Sequence, residues 1–462
     1  MKRLFVILSL FALISCSKDE VFETESFPLV KSMNTFCVDS ISVTRDAVLS
    51  LADSLYGSVN TNIWVSNAPV SASDTLIFNR ITKAFSPDYL SWLVIVDMHP
   101  MANWGHECTY LFVNASTMET EERTYTMLPS DIGLINLEKS YEPENAGSGE
   151  MFDFTNMHKA GRSVSSLSSG NRWAVIISGG VNVYNNYERY WNDCSAIYSA
   201  LKSYYGYTDN NIYVLMSDGT NPAADLNTRN GFISSSLDLD NDGVADIDYS
   251  ATKPNISAVF NALGQNVQSG DDVFIYVIDH GVANSNGSYI CLWNNDDISQ
   301  SEFKNEVDKI TTDANVHIVM GQCNSGGFVS EFAGRPNTTI ATACKANESS
   351  YACQYIDYDE FVYHWTAAVC GEYPGGSDAD ADYDNDGEVS IYEAFYYANE
   401  NDVFVGGIEI DGRTCIETPQ YASNSTYFGY HHGLTGKLFD LPTLTGPSDV
   451  KITTYGVYQV HN

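Results

Sequence analysis

Two different patterns of apolar residues meet near residue 170. From Arg172 onward, short apolar runs alternate with longer segments whose apolar positions recur at helical spacing. Trp173–Ser178, Ile212–Met216, Val273–Asp279, Val316–Met320 and Thr338–Thr342 read as strands. Glu188–Tyr205, Asn255–Val267, Ser301–Ile310 and Glu360–Val369 read as helices. The strands are nearly continuous apolar runs with little polar alternation, as expected of strands covered on both faces. Strand–helix alternation at this spacing predicts an α/β fold with a mostly parallel sheet flanked by helices. Before residue 170 the pattern is sparser. Trp92–Asp97 and Thr109–Asn114 read as strands, joined by a turn-rich segment with Pro100, Asn103 and Gly105, and Arg45–Tyr56 reads as a helix. This predicts a small α+β domain over residues 17–165, ending in a Ser-, Gly- and Asn-rich linker from Ser140 to Gly170. The second domain covers 166–462.

The first residues have a different purpose. Lys2 and Arg3 precede an apolar run, Leu4–Ile14, that is too short to span a bilayer. It ends Leu13-Ile14-Ser15-Cys16, which resembles the bacterial lipobox, with Cys16 as the lipidated residue. Ser17-Lys18-Asp19-Glu20 resembles the acidic signal that sends some outer-membrane lipoproteins to the cell surface. The expectation is a signal peptide over 1–16 and an exported, lipid-anchored protein whose membrane contact is that lipid.

Composition narrows the partners. With 23 Lys and Arg against 59 Asp and Glu, the formal net charge is −36. That argues against nucleic acid, whose phosphates need a basic surface. It suits a soluble acidic exterior or sites for hard cations. The chain has 10 cysteines in no spacing that marks a disulfide framework or a metal knuckle, and no bridge is expected. His99, His106 and Cys108 likewise match no ligand pattern.

Two strand tips carry the candidate chemistry. Val273–Asp279 leads into His280-Gly281, and Val316–Met320 leads into Gly321-Gln322-Cys323. On adjacent parallel strands both tips would share the sheet edge where open α/β sheets place their ligands. A thiol beside an imidazole is the minimal arrangement for nucleophilic acyl transfer. On these residues alone, a buried structural cysteine is the competing reading.

Several ordered blocks between Arg172 and about Trp365 resemble the legumain family of cysteine peptidases, relatives of the caspases. They are Trp173-Ala174-Val175-Ile176-Ile177, Tyr184-Asn185-Asn186-Tyr187 with Cys194 following, Asp279-His280-Gly281, Gln322-Cys323-Asn324-Ser325-Gly326, and Glu348-Ser349-Ser350-Tyr351-Ala352-Cys353. The resemblance implies a caspase-like sheet and an endopeptidase acting on peptide or protein substrates, without an organic cofactor. Cys323 would be the nucleophile and His280 the base, with the backbone N–H groups of Gly281 and Cys323 holding the oxyanion. Asn186 aligns with the residue that orients the histidine, or it caps a loop. The family's pocket for Asn falls on altered residues: Glu188 at the arginine position with Arg189 next to it, Gly321 and His364 at acidic positions, with Ser349 and Ser350 retained. Peptide cleavage therefore transfers, while cleavage after Asn does not. Glu188 at the pocket floor would favour a basic residue there. Two alternatives share the scaffold: a transpeptidase or ligase acting through the same acyl-enzyme, and an inactive surface binding protein.

Asp382–Glu393 fits the twelve-residue EF-hand loop, with Asp382, Asp384 and Asp386 at positions 1, 3 and 5, Gly387 at 6, Glu388 at 7 and Glu393 at 12. A structural Ca2+ is expected there. Asp238–Tyr249 begins the same way but has Tyr249 at position 12; it is either a second, irregular calcium loop or an acidic insertion. Finally, the N-terminal domain is a candidate pro-domain that restrains activity until cut near the linker, with a spacer or substrate-docking role as the competing view.

Overall fold

The computed structural model describes residues 41–57, 61–71, 75–78, 82–98, 102, 108–125, 135–139, 171–228, 231–354, 356–374, 376–410, 413–425, 428–435, 451–452 and 457–459. The expected signal segment with Cys16, residues 17–20, Cys37, His99, His106 and the expected linker 140–170 lie outside the described residues.

Helix α1 (Arg45–Tyr56) begins where the Thr44 hydroxyl accepts a hydrogen bond from Ala47 N, which satisfies one of the helix's orphan donors. Strands β1 (Asn62–Ser66), β2 (Thr75–Phe78), β3 (Thr82–Phe85), β4 (Ser91–Asp97), β5 (Cys108–Asn114), β6 (Thr120–Tyr125) and β7 (Ile135–Lys139) follow. Five of them form an antiparallel sheet in the order β6-β5-β4-β1-β7, and β2 pairs with β3. One face packs on α1 through Val48, Ala52, Val94, Val96 and Leu111. Strands β4 and β5 are buried on both faces, whereas the edge strand β6 alternates between exposed and half-buried positions.

The larger sheet is built from β8 (Arg172–Ser178), β9 (Ile212–Met216), β12 (Asp272–Ile278), β16 (Asn315–Met320), β17 (Thr338–Thr342), β20 (Gln420–Ser423), β21 (Lys451–Ile452) and β22 (Val457–Gln459). Its order is β21-β22-β20-β17-β16-β12-β8-β9. The five strands from β17 to β9 are parallel, and β20 joins antiparallel to β17. Between them lie two small sheets: β10 (Leu226–Thr228) with β11 (Gly231–Ile233), and β13 (Gly281–Asn284), β14 (Gly287–Leu292) and β15 (Asp296–Ser299). A hairpin of β18 (Ile408–Ile410) and β19 (Arg413–Cys415) precedes β20.

Helices cover both faces, as the unbroken apolar strands require. Helices α2 (Glu188–Ser203), α6 (Glu360–Cys370) and α7 (Ile391–Asn401) share one core with Phe274, Tyr276 and Ile278. Trp365 is fully buried there, stacked 5.5 Å from Phe274. Helices α3 (Lys253–Asn266), α4 (Gln300–Val307) and α5 (Val329–Phe332) share the other core with Val273, Ile275 and Val277. The helix read over 301–310 stops at Val307, and its start is set by a reciprocal capping box between Ser299 and Glu302. The short helix α8 (Phe428–His431) follows β20.

Ser42–Asn462 cluster as one compact unit. The five-stranded sheet turns its other face, with Trp64, Leu93, Ile95, Cys108, Tyr110 and Phe112, onto Val181, Val282 and Cys291 of the larger part. Every cysteine among the described residues is buried and unbridged. No helix among them is long and apolar enough to cross a membrane.

Candidate active site

The register of the parallel strands decides which residues meet. Val277 of β12 pairs with Met320 of β16, so His280 and Cys323 each stand three residues beyond a paired position on neighbouring strands. The tips touch: a Cβ at Gly281 would lie 2.0 Å from the Cys323 carbonyl oxygen. Only glycine permits that approach.

The imidazole of His280 is 1% exposed and held from several sides. Its Nε2 lies 2.7 Å from the backbone oxygen of Asn185. A carbonyl only accepts, so Nε2 carries the proton and Nδ1 of the neutral ring keeps a lone pair. Nδ1 lies 3.4 Å from the Tyr190 hydroxyl, too long for a strong bond. Tyr187 and Tyr190 meet the ring edge-on, at 5.9 and 5.2 Å between centroids.

Asp279 anchors the tip. Its φ is +101°, strained for a residue with a side chain, and its buried carboxylate accepts hydrogen bonds from Ser178 Oγ at 3.0 Å, Gly180 N at 2.6 Å and His280 N at 2.7 Å. Burial pushes its pKa up to about 7, opposed mainly by those hydrogen bonds. Its Oδ1 is 3.7 Å from His280 Nε2.

Cys323 is 0% exposed. Burial, with the neighbouring Cys344 thiol, drives its pKa upward, against the Ser350 N–H and the hydroxyls of Ser349 and Ser350. Ser350 N donates to Cys323 Sγ at 3.2 Å. Asn324 follows with φ +58°, and the chain turns from strand into a short helical segment at Ser325–Phe328. Gln322 is fully buried and neither atom of its amide finds a hydrogen-bond partner, a costly arrangement directly before the thiol.

Other predicted residues fall elsewhere. Asn186 does not orient the imidazole: its Nδ2 donates to Ser217 Oγ at 2.6 Å and to Asp225 O at 2.8 Å, so it ties down the loop whose neighbouring carbonyl, Asn185 O, does the orienting. Gly321 opens on no pocket: a Cβ there would sit 2.5 Å from Ile278 Cδ1 and 2.7 Å from Val362 Cγ1. His364 uses Nδ1 on the Tyr373 hydroxyl, just past the end of its helix, at 2.8 Å and Nε2 on Glu360, one turn back, at 3.1 Å, so both ring nitrogens are engaged. Glu188 is half-buried as the first residue of α2. Arg189 instead reaches the site: its guanidinium lies 4.5 Å from the ring centroids of both Tyr187 and Tyr190, donates to Tyr190 Oη at 2.7 Å and pairs with Asp359 at 3.1 Å. Tyr190 and Asp359 had no signal in the sequence, since their roles depend on packing across the α2–α6 interface.

The N-terminal sheet comes close to this site. Ala102 forms an antiparallel bridge with Tyr351, the residue after Ser350. Ala102, Tyr351, Ala352 and Phe404 share one apolar cluster. Val282, directly after Gly281, packs against the face of the five-stranded sheet.

In the Asp-rich loop, Asp382, Asp384 and Glu393 place one carboxylate oxygen each within 4.8 Å of the others. Gly387 turns at φ +90°. Glu393 also caps α7, its Oε2 accepting from Ser390 N at 2.8 Å. Asp386 stands outside this triplet, its Oδ1 accepting from Glu388 N at 2.8 Å. These oxygens suit a hard cation. In the second loop the triplet is Asp238, Asp240 and Asp246, so the ninth residue and not the twelfth closes it. Lys202 Nζ already reaches Asp240 at 2.7 Å and Asp242 at 3.0 Å there. Asp248 turns away, accepting from Val214 N at 2.9 Å.

Residues 172–370 match the Peptidase C13 family model. The match supports a cysteine-peptidase type of function acting on peptide or protein substrates, and it stops short of both the Asp-rich loop at 382–393 and the N-terminal sheet. Among solved structures, protein GSU0716 from Geobacter sulfurreducens is similar at 11% identity with a TM-score of 0.35, covering 56% of this chain and 96% of that one. The Drosophila initiator caspase Dronc is similar at 9% identity with a TM-score of 0.33, covering 56% and 81%. No curated protein matches the sequence.

Proposed function

We propose that this chain is a cysteine endopeptidase with Cys323 as nucleophile and His280 as base, held in a restrained state by its N-terminal sheet. The observation that carries the reading is the 2.7 Å contact of His280 Nε2 with Asn185 O, which puts the ring proton on Nε2 and makes Nδ1 the basic nitrogen of a ring carried beside the Cys323 tip. Cys323 Sγ attacks the scissile carbonyl carbon as its proton passes to Nδ1. The oxyanion is held by the backbone N–H groups of Gly281 and Cys323. The C–N bond breaks, and the leaving amine takes the proton from His280. Water, deprotonated by the same ring, then attacks the thioester and releases the acid and the thiol.

Restraint is supported by the complete burial of Cys323 and by the Ala102–Tyr351 bridge, which occupies a strand edge beside the thiol that an extended peptide would need. In this reading the Asp382–Glu393 loop binds a structural Ca2+ that steadies the start of α7, and Cys16 carries the lipid that holds the exported protein at the outer membrane.

The test is labelling by an electrophilic thiol probe in the full chain. Cys323→Ala should remove one labelled site and all peptide cleavage. Ala102→Arg, which cannot remain in its apolar cluster, should speed both labelling of Cys323 and cleavage. Cleavage that survives Cys323→Ala would sink the peptidase assignment. An Ala102→Arg protein that stays folded yet labels no faster would remove only the restraint.

A further inference from the structure

We propose that Asp272, His317 and His432 form a binding site for a divalent transition metal of the zinc class, fixing the C-terminal segment to the central sheet. The three residues are buried, and one ligating atom of each lies within 4.8 Å of the other two. Donors about 2.0–2.1 Å from one zinc ion can stand up to roughly 4 Å apart, so modest side-chain rotation completes the set.

The surroundings favour a metal over a simple polar cluster. His317 is 1% exposed in the middle of an otherwise apolar strand, and its Nε2 has no hydrogen-bond partner. Its Nδ1 meets the Thr339 hydroxyl at 2.9 Å. When Nδ1 donates there, Nε2 presents the lone pair a metal needs, and the ring is oriented in the way that outer hydrogen bonds orient metal-bound histidines. Asp272 is oriented similarly, with Asn315 Nδ2 donating to its Oδ1 at 2.9 Å. The register explains the meeting: Asp272 pairs with Asn315, and Phe274, on the same face of β12 as Asp272, pairs with His317. His432 arrives from the far end of the chain on the turn after α8. Phe428 packs on both imidazoles, 5.6 Å from His317 and 4.2 Å from His432.

Two imidazoles and one carboxylate suit zinc, cobalt, nickel or ferrous iron, whereas calcium and magnesium prefer oxygen alone. The location argues for a structural ion. Asp272 opens β12 and His280 stands two residues past its end at Ile278, so the six steps of about 3.3 Å along the strand put Asp272 roughly 20 Å from the sheet edge that carries the candidate dyad. The backbone oxygen of His432 also accepts from Ile391 N at 2.8 Å, so the ion would brace the start of α7.

The experiment uses the full-length protein and needs no peptidase activity. After removal of metals with a zinc chelator, the chain is titrated with Zn2+ and, separately, with Co2+. Wild type should bind one equivalent tightly, show a visible cobalt band reporting nitrogen and oxygen donors, and unfold several degrees higher with the metal. His432→Ala lies outside every strand and should leave the fold intact while abolishing the band and the shift. Asp272→Asn should weaken both. Glu393→Gln should leave both unchanged, which separates this site from the calcium loop. Absence of Zn2+ and Co2+ binding to the folded wild type, or equal binding by His432→Ala, would overturn the proposal.

Discussion

The two large sheets are both buried on two faces, but by different means. The parallel sheet carries its own cover, with α2, α6 and α7 on one side and α3, α4 and α5 on the other. Among the described residues, the antiparallel sheet has one helix of its own, α1, and uses the larger part as its second cover. Polar chemistry follows the same division. The tips of β12 and β16 carry the imidazole and the thiol, while β4 and β5 offer a flat apolar face. A sheet that cannot cover itself must stay docked, and here its docking surface includes Val282, next to the candidate oxyanion position. In the proposed reading one sheet carries the reacting groups and the other controls access to them.

The sharpest way to test this division is to damage each sheet in turn. In the parallel sheet, Cys323→Ala or His280→Ala should each reduce turnover by ~10³-fold or more, and the double variant should be little worse, because residues acting as a unit are not additive. Gly281→Val should come close to this loss, since its side chain would drive into the Cys323 carbonyl. In the antiparallel sheet, Trp64→Ala should remove about 3–5 kcal/mol of packing yet raise the labelling rate of Cys323, read by denaturant unfolding and probe kinetics. A fall in labelling would mean that this sheet is a scaffold and not a restraint.

A smaller effect is expected from calcium. Chelation with EGTA should lower the unfolding temperature of wild type by a few degrees, by removing an ion that binds only the folded state. Glu393→Gln should mimic it, and an unchanged melting curve in both would mark the loop as a solvated insertion.

A pH-dependent effect should follow from the buried pair Asp402 and Glu417, which lies under the bridging segment: Glu417 Oε1 accepts the N–H of Tyr351. Burial is the main cause that pushes both carboxyls up, with Glu360 adding to it for Asp402 and Asp402 for Glu417. Each holds its proton more tightly folded than unfolded. Their contribution is therefore fully present below the ordinary Asp value of 3.8 and is lost as pH rises through the raised folded values. Unfolding temperature should drop from mild acid to neutral pH, and Asp402→Asn should flatten that slope. The smallest effect belongs to Asn185→Ala. The group that holds His280 is a backbone carbonyl, so turnover should fall only slightly, whereas Asn186→Ala, which frees the loop, should cost more.

Much of this molecule was legible along the chain because the responsible forces are local or periodic. Doubly covered strands read as unbroken apolar runs, and β8, β9, β12, β16 and β17 fall within a residue or so of their expected bounds. The His280 and Cys323 tips follow from those strands together with the rule that parallel neighbours share an edge. The meeting of Asp382, Asp384 and Glu393 was also readable, because the three stand within one short segment, while Asp386 of the same segment falls outside their cluster. What lay beyond the sequence depends on contacts between distant segments. Nothing local marks Asn185 and not Asn186 as the holder of the imidazole, because the deciding atom is a carbonyl that every residue possesses. Arg189 displaces Glu188 at the site because the rotation of α2 against α6 brings it between Tyr187, Tyr190 and Asp359. The bridge from Ala102 to Tyr351 and the meeting of Asp272, His317 and His432 join parts of the chain that share no periodic signal. Side-chain pattern sets which face of an element is buried; only the packed fold decides which other element buries it, and so which polar atoms meet there.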